Sequence, residues 1–474
     1  MSLFLKSFSK TATGSILSMA FGAIVIKIIA VMTGPQGVGI FSILKDISKT
    51  LMLAFSLSGN IAIVKNLSSD KSINKELFIQ NIVKIIVLNM IFMSLIYFLS
   101  IEYIYTHIMN DLDGVSINTL VIIILSGISG ALNVICNSIL NANRSLGWMA
   151  ISQTMAASIG ALITFPILSI LPTTYSFALI LVVINVSWLL INLIILYKEK
   201  ISFNWMESLS TKVKKENVNQ FKSLAGATFI TSIAGMATIL FTRLYIEQKL
   251  DIESLGIFDA AWTLGTVYIV FLLSSFGTYV LPVLSSIHDK NQRDDFLGNV
   301  IIITSSIFTL LVITMLTFNE QFILLFYSEE FSLSSEILQY LLLGDFFKVI
   351  SWTYGIYFLS HNKPWIFVFV SLLWDTIFLA IVYFGIDQYG IHIVSYAVII
   401  SQFIYLIVVV LISRKYLLIR LPFKVVGWLL PMFIIIISVL LATNENSIYT
   451  YMVAMVVSLL ITYHLIYKKD FFLG

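Results

Sequence analysis

Charge is what this chain has least of: 11% of its 474 residues are Asp, Glu, Lys or Arg, against 59% hydrophobic. A soluble domain covers its surface with about a quarter charged residues, so a soluble fold is excluded and a polytopic membrane protein is implied. Cysteine is almost absent. Cys136 stands alone within an apolar run, which rules out an intrachain disulfide, and it reads as a small buried packing residue. The histidines, His107, His288, His361, His392 and His464, are scattered over loops and span ends without ligand spacing, so no metal site is expected. No Gly-Lys-Ser/Thr phosphate loop occurs, which argues against nucleotide hydrolysis, and no cofactor is implied. The first apolar stretch ends at Thr33-Gly34-Pro35 without a small-x-small cleavage pattern, so it is expected to stay as a first span.

What the chain does have is apolar runs of about 20 residues, the length that a bilayer-crossing helix needs. Fourteen can be marked, beginning with Thr11 to Met32 and Val38 to Val64 and ending with Lys424 to Ala442 and Ile448 to Tyr467. The gaps between them sort by charge. Alternate gaps hold 21 Lys and Arg while the other set holds only Lys249, a bias that puts both termini in the cytoplasm. The net charge of +3 averages this basic inner face with an acidic outer one bearing Glu102, Asp111, Asp113, Glu320, Glu329, Glu330 and Glu336. It gives no reason to expect nucleic acid as a partner.

The longest polar stretch, Lys198 to Gln220, is too poor in apolar residues to fold by itself and falls between the sixth and seventh spans. Sequence on either side of it suggests duplication. Gly39-Ile40-Phe41 entering the second span matches Gly256-Ile257-Phe258 entering the eighth, and at the same offset of 217 Leu67-Ser68-Ser69 matches Leu284-Ser285-Ser286. A one-residue shift sets Lys27 opposite Arg243. Six spans is an even number, so the halves are expected as parallel repeats related by an axis along the membrane normal. The expected architecture is an all-α bundle: a six-helix lobe over residues 1–197, a cytoplasmic link at 198–220, a second six-helix lobe at 221–415 and an extra helix pair at 416–474.

Six cations fall inside the apolar runs, Lys27, Lys45, Lys49, Lys84, Arg243 and Lys348, against four acids, Asp46, Asp259, Asp345 and Asp375. In the second span, at 100° per residue, Ser42, Lys45, Asp46, Lys49, Ser56 and Asn60 share one stripe, with Leu44, Ile47, Leu51 and Phe55 opposite. A lysine facing acyl chains is costly, so the stripe is expected to face a wet cavity or a partner helix. One acid cannot neutralise two lysines, which favours a cavity lining over a simple Asp46–Lys49 structural pair. The equivalent stripe of the eighth span, Asp259, Trp262, Thr263, Thr266 and Gly277, is polar but not cationic.

Asp345 and Lys348 lie three residues apart in the tenth span, a spacing that suits a structural ion pair as well as it suits function. Asp375 has no partner in its own helix and is a candidate for coupling to protons or sodium. The fourth span presents Ser126, Gly130, Asn133, Asn137 and Asn141 on one face, suited to sugar hydroxyls or, more simply, to helix–helix hydrogen bonds. Lys84, near the cytoplasmic end of the third span, can reach the headgroups by snorkelling. The net excess of embedded cations attracts an anion. A phosphorylated lipid headgroup fits, because lysines bind phosphate as point charges while Asn, Ser and Trp can meet sugars.

The opening Met1-Ser2-Leu3, then Lys27-Ile28-Ile29-Ala30 and Gly34-Pro35-x-Gly37-Val38-Gly39, the polar second span and the basic link after the sixth resemble the Wzx-type O-antigen flippases of the polysaccharide transporter family. Their superfamily includes multidrug and toxin extruders and the lipid II flippases. The resemblance implies a V-shaped pair of six-helix lobes in the bacterial inner membrane that alternates access and carries an undecaprenyl-pyrophosphate-linked oligosaccharide from the inner to the outer leaflet. It implies no enzymatic step, membrane lipids as surroundings, and the O-antigen polymerase and chain-length machinery as candidate partners. It also implies a cationic cavity, a role assigned to Lys27, Lys45, Lys49, Arg243 and Lys348. Fourteen spans instead of twelve is a departure that is similar to lipid II flippases. Two other classes fit the residues less well: a cation-coupled drug exporter should show acids without excess lysine in its N-terminal half, and a glycan polymerase or ligase needs a large outward loop, whereas Ile101 to Ile117 and Asn319 to Ser334 are short.

Overall fold

The computed structural model describes residues 2–68, 75–109, 114–171, 173–199, 212–287, 289–360, 363–417 and 423–443, with a few single positions besides. Every regular element among them is helical, as the hydropathy pattern demands. Nine stretches of the described residues are long and apolar enough to cross a membrane, and two of these, Ile16–Ser56 and Pro364–Tyr416, each hold two helices. The expected count of fourteen is not reached among them. The last expected run, Ile448 to Tyr467, lies outside the described residues apart from Met452, Val456 and Leu459.

The chain divides into two compact units, residues 1–256 and 257–474. The first holds α1 (Ser2–Ser56), α2 (Asn60–Ser68), α3 (Lys75–Ile108), α4 (Ile117–Ala142), α5 (Leu146–Ile170), α6 (Thr173–Lys198) and α7 (Lys215–Lys249), and α8 (Ile252–Ser286) opens within it. α1 carries the first two expected spans, separated at Gly34, whose φ of 63° and ψ of −166° leave the helical region. Pro35 follows without an N–H to donate, so the ladder breaks there.

The second expected span does not run unbroken to Val64. Leu57 and Ser58 adopt left-handed φ values of 54° and 47° and close the turn into α2, a conformation that costs a side-chain-bearing residue about 1 kcal/mol or more. Local hydrogen bonds offset that strain. Asn89 of α3 donates through Nδ2 to the Ala54 and Phe55 carbonyls at 2.8 and 2.9 Å, and Thr228 of α7 donates to the Ser58 carbonyl at 3.2 Å. The carbonyls at the end of a helix have no full set of intrahelical donors, and side chains from other helices supply the missing ones here.

Lipid tails are as apolar as the helices, so the helices associate through close packing and small residues more than through exclusion of water. α1 meets α5 at Gly14, where an added Cβ would lie 2.3 Å from the Ala150 Cβ. α4 turns Gly127 and Gly130 toward α1, within 2.7 Å of the Leu51 Cβ and 3.0 Å of the Met52 Cγ on the same basis. A cluster of Ile63, Phe78, Ile82, Ile135, Ile139, Ile195 and Phe221 ties α2, α3, α4, α6 and α7 together and contains the wholly buried Cys136. That cysteine is the small packing residue anticipated. By its packing on α1, α2 and α3, α7 belongs with the first unit although it opens the second set of six spans.

The second unit continues α8 and adds α9 (Lys290–Thr317), α10 (Asn319–Phe326), α11 (Leu333–Ser360), α12 (Pro364–Tyr389), α13 (Ile393–Leu417) and α14 (Phe423–Thr443). Its packing repeats that of the first: α11 and α12 pack on α13 as α4 and α5 pack on α6. Ser334 and Ser395 tie helix ends together by donating to the Ile257 and Ile337 carbonyls at 2.7 and 3.1 Å. α14 packs on α9 and α11, with Phe433 against Phe346 and Phe347 at 5.5 and 5.3 Å. The first helix of the extra pair is therefore part of the second unit's core. Asn319 to Ser334, expected as a short outward connection, contains the short α10 and a 3₁₀ turn at Glu329–Phe331.

Candidate functional site

The break at Gly34 divides α1 into two arms: the first carries Lys27, and the second carries Lys45, Asp46 and Lys49. Lys27 and Lys45 are half-buried, and the Lys45 ammonium lies 5.8 Å from the centroid of the Phe41 ring, a cation–π distance. Phe41 is itself held edge-on by Phe177 of α6 at 5.6 Å. Lys49, one turn beyond Lys45, is exposed. The remainder of the expected stripe is not wet: Ser42 and Ser56 are wholly buried and donate to the Gly39 and Leu53 carbonyls, and Asn60 falls beyond the break, in α2.

Asp46 accepts a hydrogen bond from Arg243 Nη1 on α7, and both residues are 3% exposed. This pair joins residues 197 positions apart, a partnership that no helical spacing can reveal. The repeat comparison set Lys27 opposite Arg243, but their surroundings differ: the lysine is half-buried and the arginine is enclosed with its carboxylate. A fully buried pair of this kind is tolerable when complete and costly when one member is lost.

Asn133 was grouped with the cavity residues, yet it is wholly buried between α4 and α6, where its polar atoms hold helices together. Its Nδ2 donates to the Asn185 carbonyl at 2.9 Å and its Oδ1 accepts from Asn192 Nδ2 at 2.9 Å. Asn185 Nδ2 in turn reaches Ser126 Oγ at 2.9 Å, and Ser126 meets Ser48 of α1 at 2.7 Å. The polar face of the fourth span is thus a ladder linking α1, α4 and α6. Asn137 donates to the Asn133 carbonyl on its own helix at 3.0 Å.

In the second unit Asp345 and Lys348 form the expected pair on α11, with Nζ 3.6 Å from Oδ1. Tyr268 of α8, which the sequence reading passed over, donates to Asp345 Oδ2 at 3.0 Å. The pair borders a hollow lined by Trp262, Thr266, Trp374 and Gln402 among others. Asp259 is buried on α8 with Thr263 Oγ1 at 3.4 Å, and Asp375 is buried on α12 beside Trp374. Gln402 and Trp374 had no periodic signal to mark them. Their only sequence cue is polarity within apolar spans. The described residues contain no grouping of His, Cys, Asp and Glu able to hold a metal ion.

Buried and half-buried charges on membrane-spanning helices, set in two units of repeated packing, define a polytopic helical membrane protein. Its fold is shared with several solved transporters. The lipid II flippase MurJ, in an inward closed conformation, aligns with a TM-score of 0.69 at 16% identity over 98% of this chain and 99% of that one. A transporter of the MOP superfamily from Pyrococcus furiosus aligns with a TM-score of 0.63 at 12% identity over 89% and 96%. The Vibrio cholerae MATE transporter VcmN gives 0.61 at 13% identity over 88% and 96%. No curated protein matches the chain in sequence. Residues 4–288 match the family described as polysaccharide biosynthesis protein, and the chain belongs to that family.

Proposed function

We propose that the protein flips an undecaprenyl-pyrophosphate-linked O-antigen repeat unit from the cytoplasmic to the periplasmic leaflet of the bacterial inner membrane, by alternating access through a cationic cavity. The observation that carries this reading is charge. Leaving aside Lys84 near a span end, the first unit embeds Lys27, Lys45, Lys49 and Arg243 with Asp46 as the one acid in its apolar runs, an excess of three positive charges. Such a surplus attracts a diphosphate. The inside-negative membrane potential favours outward movement of an anion by about 2.3 kcal/mol per charge per 100 mV. Asp375 is the candidate for coupling that movement to protons or sodium. The 21-to-1 charge bias of the connections supports cytoplasmic termini.

Lys45→Ala combined with Lys49→Ala tests the assignment. The double variant is expected to stay in the membrane, to lose surface glycan and to accumulate lipid-linked repeat units inside the cell. Normal surface glycan would remove the cavity role. A lipid II-type cargo is the second reading, favoured by the fold shared with MurJ over nearly the whole chain. Deletion of the protein separates the two, because the lipid that builds up carries either the repeat unit or the peptidoglycan precursor, and a drug exporter would raise neither.

A further inference from the structure

Asn81 of α3 holds the end of the basic link against the membrane-spanning part of the first unit. It is wholly buried and stands two residues past Ile79, where an apolar run reaching Leu99 begins. With its amide oriented so that oxygen and nitrogen both find partners, Nδ2 donates to the Lys212 carbonyl at 3.1 Å, while Oδ1 accepts from the Lys214 N–H at 3.3 Å and from Asn217 Nδ2 at 2.8 Å. One side chain thus ties the backbone on both sides of Val213 and the first turn of α7. At 1.5 Å per residue Asn81 lies within about 3 Å of the edge of the hydrocarbon, and the headgroup layer beyond that edge is about 5–8 Å deep. The backbone bonded to Asn81 is therefore fixed at headgroup level and does not extend into the aqueous phase. What it presents there is positive. Lys212, Lys214 and Lys215 are exposed, with Val213, 40% exposed, among them. Residues 212–222 hold four lysines, the fourth being the exposed Lys222, against one acid, Glu216. α7 packs on α2 and α3, which add the exposed Lys65 and Lys75 against the exposed Glu76.

We propose that the segment 212–215 is a docking surface for anionic phospholipid headgroups of the cytoplasmic leaflet, held at their depth by Asn81; the inference rests on the topology proposed above and not on the cargo. The charge bias of the connections accounts for the side on which these lysines lie, but a bias in counts does not require a buried amide that fixes their place. An ammonium meets a phosphate as a point charge, and each lysine near an anionic leaflet contributes about fivefold in affinity. Lysine stems and an exposed valine can lie along the acyl boundary while the ammonium groups stay among the phosphates. A segment fixed at headgroup level meets lipid phosphates at contact distance, which favours a phospholipid over an acidic soluble protein as its occupant. The same attraction is screened by salt.

The test uses the full chain purified in detergent, titrated with phosphatidylglycerol and with phosphatidylethanolamine of the same acyl chains, the bound lipids being counted by native mass spectrometry. The wild type is expected to retain the anionic lipid more tightly. Lys212→Gln with Lys214→Gln and Lys215→Gln, all at exposed positions, is expected to weaken phosphatidylglycerol about tenfold or more and to leave phosphatidylethanolamine unchanged. Asn81→Leu alters no charge and is expected to weaken phosphatidylglycerol about fivefold by releasing the segment. Should it fail to give monodisperse protein, Asn217→Ala, which removes one of the bonds to Asn81, is expected to lower the same preference. A triple variant with the wild-type preference would overturn the surface, and an Asn81→Leu variant with that preference would overturn the placement by Asn81. Bare undecaprenyl diphosphate is the third probe: a triple variant that loses this lipid while keeping phosphatidylglycerol would assign the lysines to the cargo and overturn the phospholipid as occupant.

Discussion

Arg243→Met removes the guanidinium from α7 and leaves the Asp46 carboxylate enclosed at 3% exposure. Breaking a buried pair on one side costs about 3–5 kcal/mol, because the remaining charge has lost its partner and cannot reach water. For a unit of the size of residues 1–256, each kcal/mol moves the melting temperature by about 2 °C, so the fall is expected at roughly 6–10 °C. Asp46→Leu together with Arg243→Met removes both charges and restores apolar packing. Such replacements are neutral or stabilising, and the double variant is expected to melt within about 2 °C of the wild type. Intrinsic tryptophan fluorescence of the purified protein during heating reads both values. A single variant as stable as the wild type, or a double variant as unstable as the single, would refute the reasoning. Surface glycan then separates two roles for Arg243. A stable double variant without surface glycan makes Arg243 part of the transport chemistry, whereas full surface glycan limits the pair to joining α1 and α7.

Three further outcomes follow from the packing. Gly256→Val places a carbon within 1.8 Å of the Pro35 carbonyl oxygen, so backbone must shift, and a loss of about 1–3 kcal/mol is expected in the same melting assay. Gly235→Ala on α7 meets nothing within 4 Å and is expected to raise stability by about 0.5–1 kcal/mol through helix propensity. Asn133→Leu strands the Asn192 amide and removes the bond to the Asn185 carbonyl, which stays within the α6 ladder. Interhelical hydrogen bonds in membranes average about 0.6 kcal/mol and reach about 2, so a loss in that range is expected, with Asn137→Ala changing less because its bond stays within α4.

The membrane class and the repeat were legible because hydropathy, charge bias and the matching tripeptides are properties of short stretches read along a line. Gly39 and Gly256 illustrate how far such reading reaches. They were paired as equivalent positions of two halves, and in the structure a Cβ on Gly39 would lie 3.2 Å from the Gly256 backbone nitrogen. The match marked real positions but not their contact. The second span shows the opposite limit: an apolar window gave no sign of the turn at Leu57 and Ser58, since that turn depends on Asn89 and Thr228 from two other helices.

The chain by itself determined that this is a polytopic membrane protein with embedded cations, since the bilayer selects about 20-residue apolar runs and the cell retains positive loops inside, whatever the fold. Tertiary structure alone decided which polar groups meet: Arg243 with Asp46 across 197 residues, and the asparagines of α4 with those of α6. The reason is geometric. Helical periodicity states which side of its own axis a residue occupies, and only the packing of separate helices states what lies opposite.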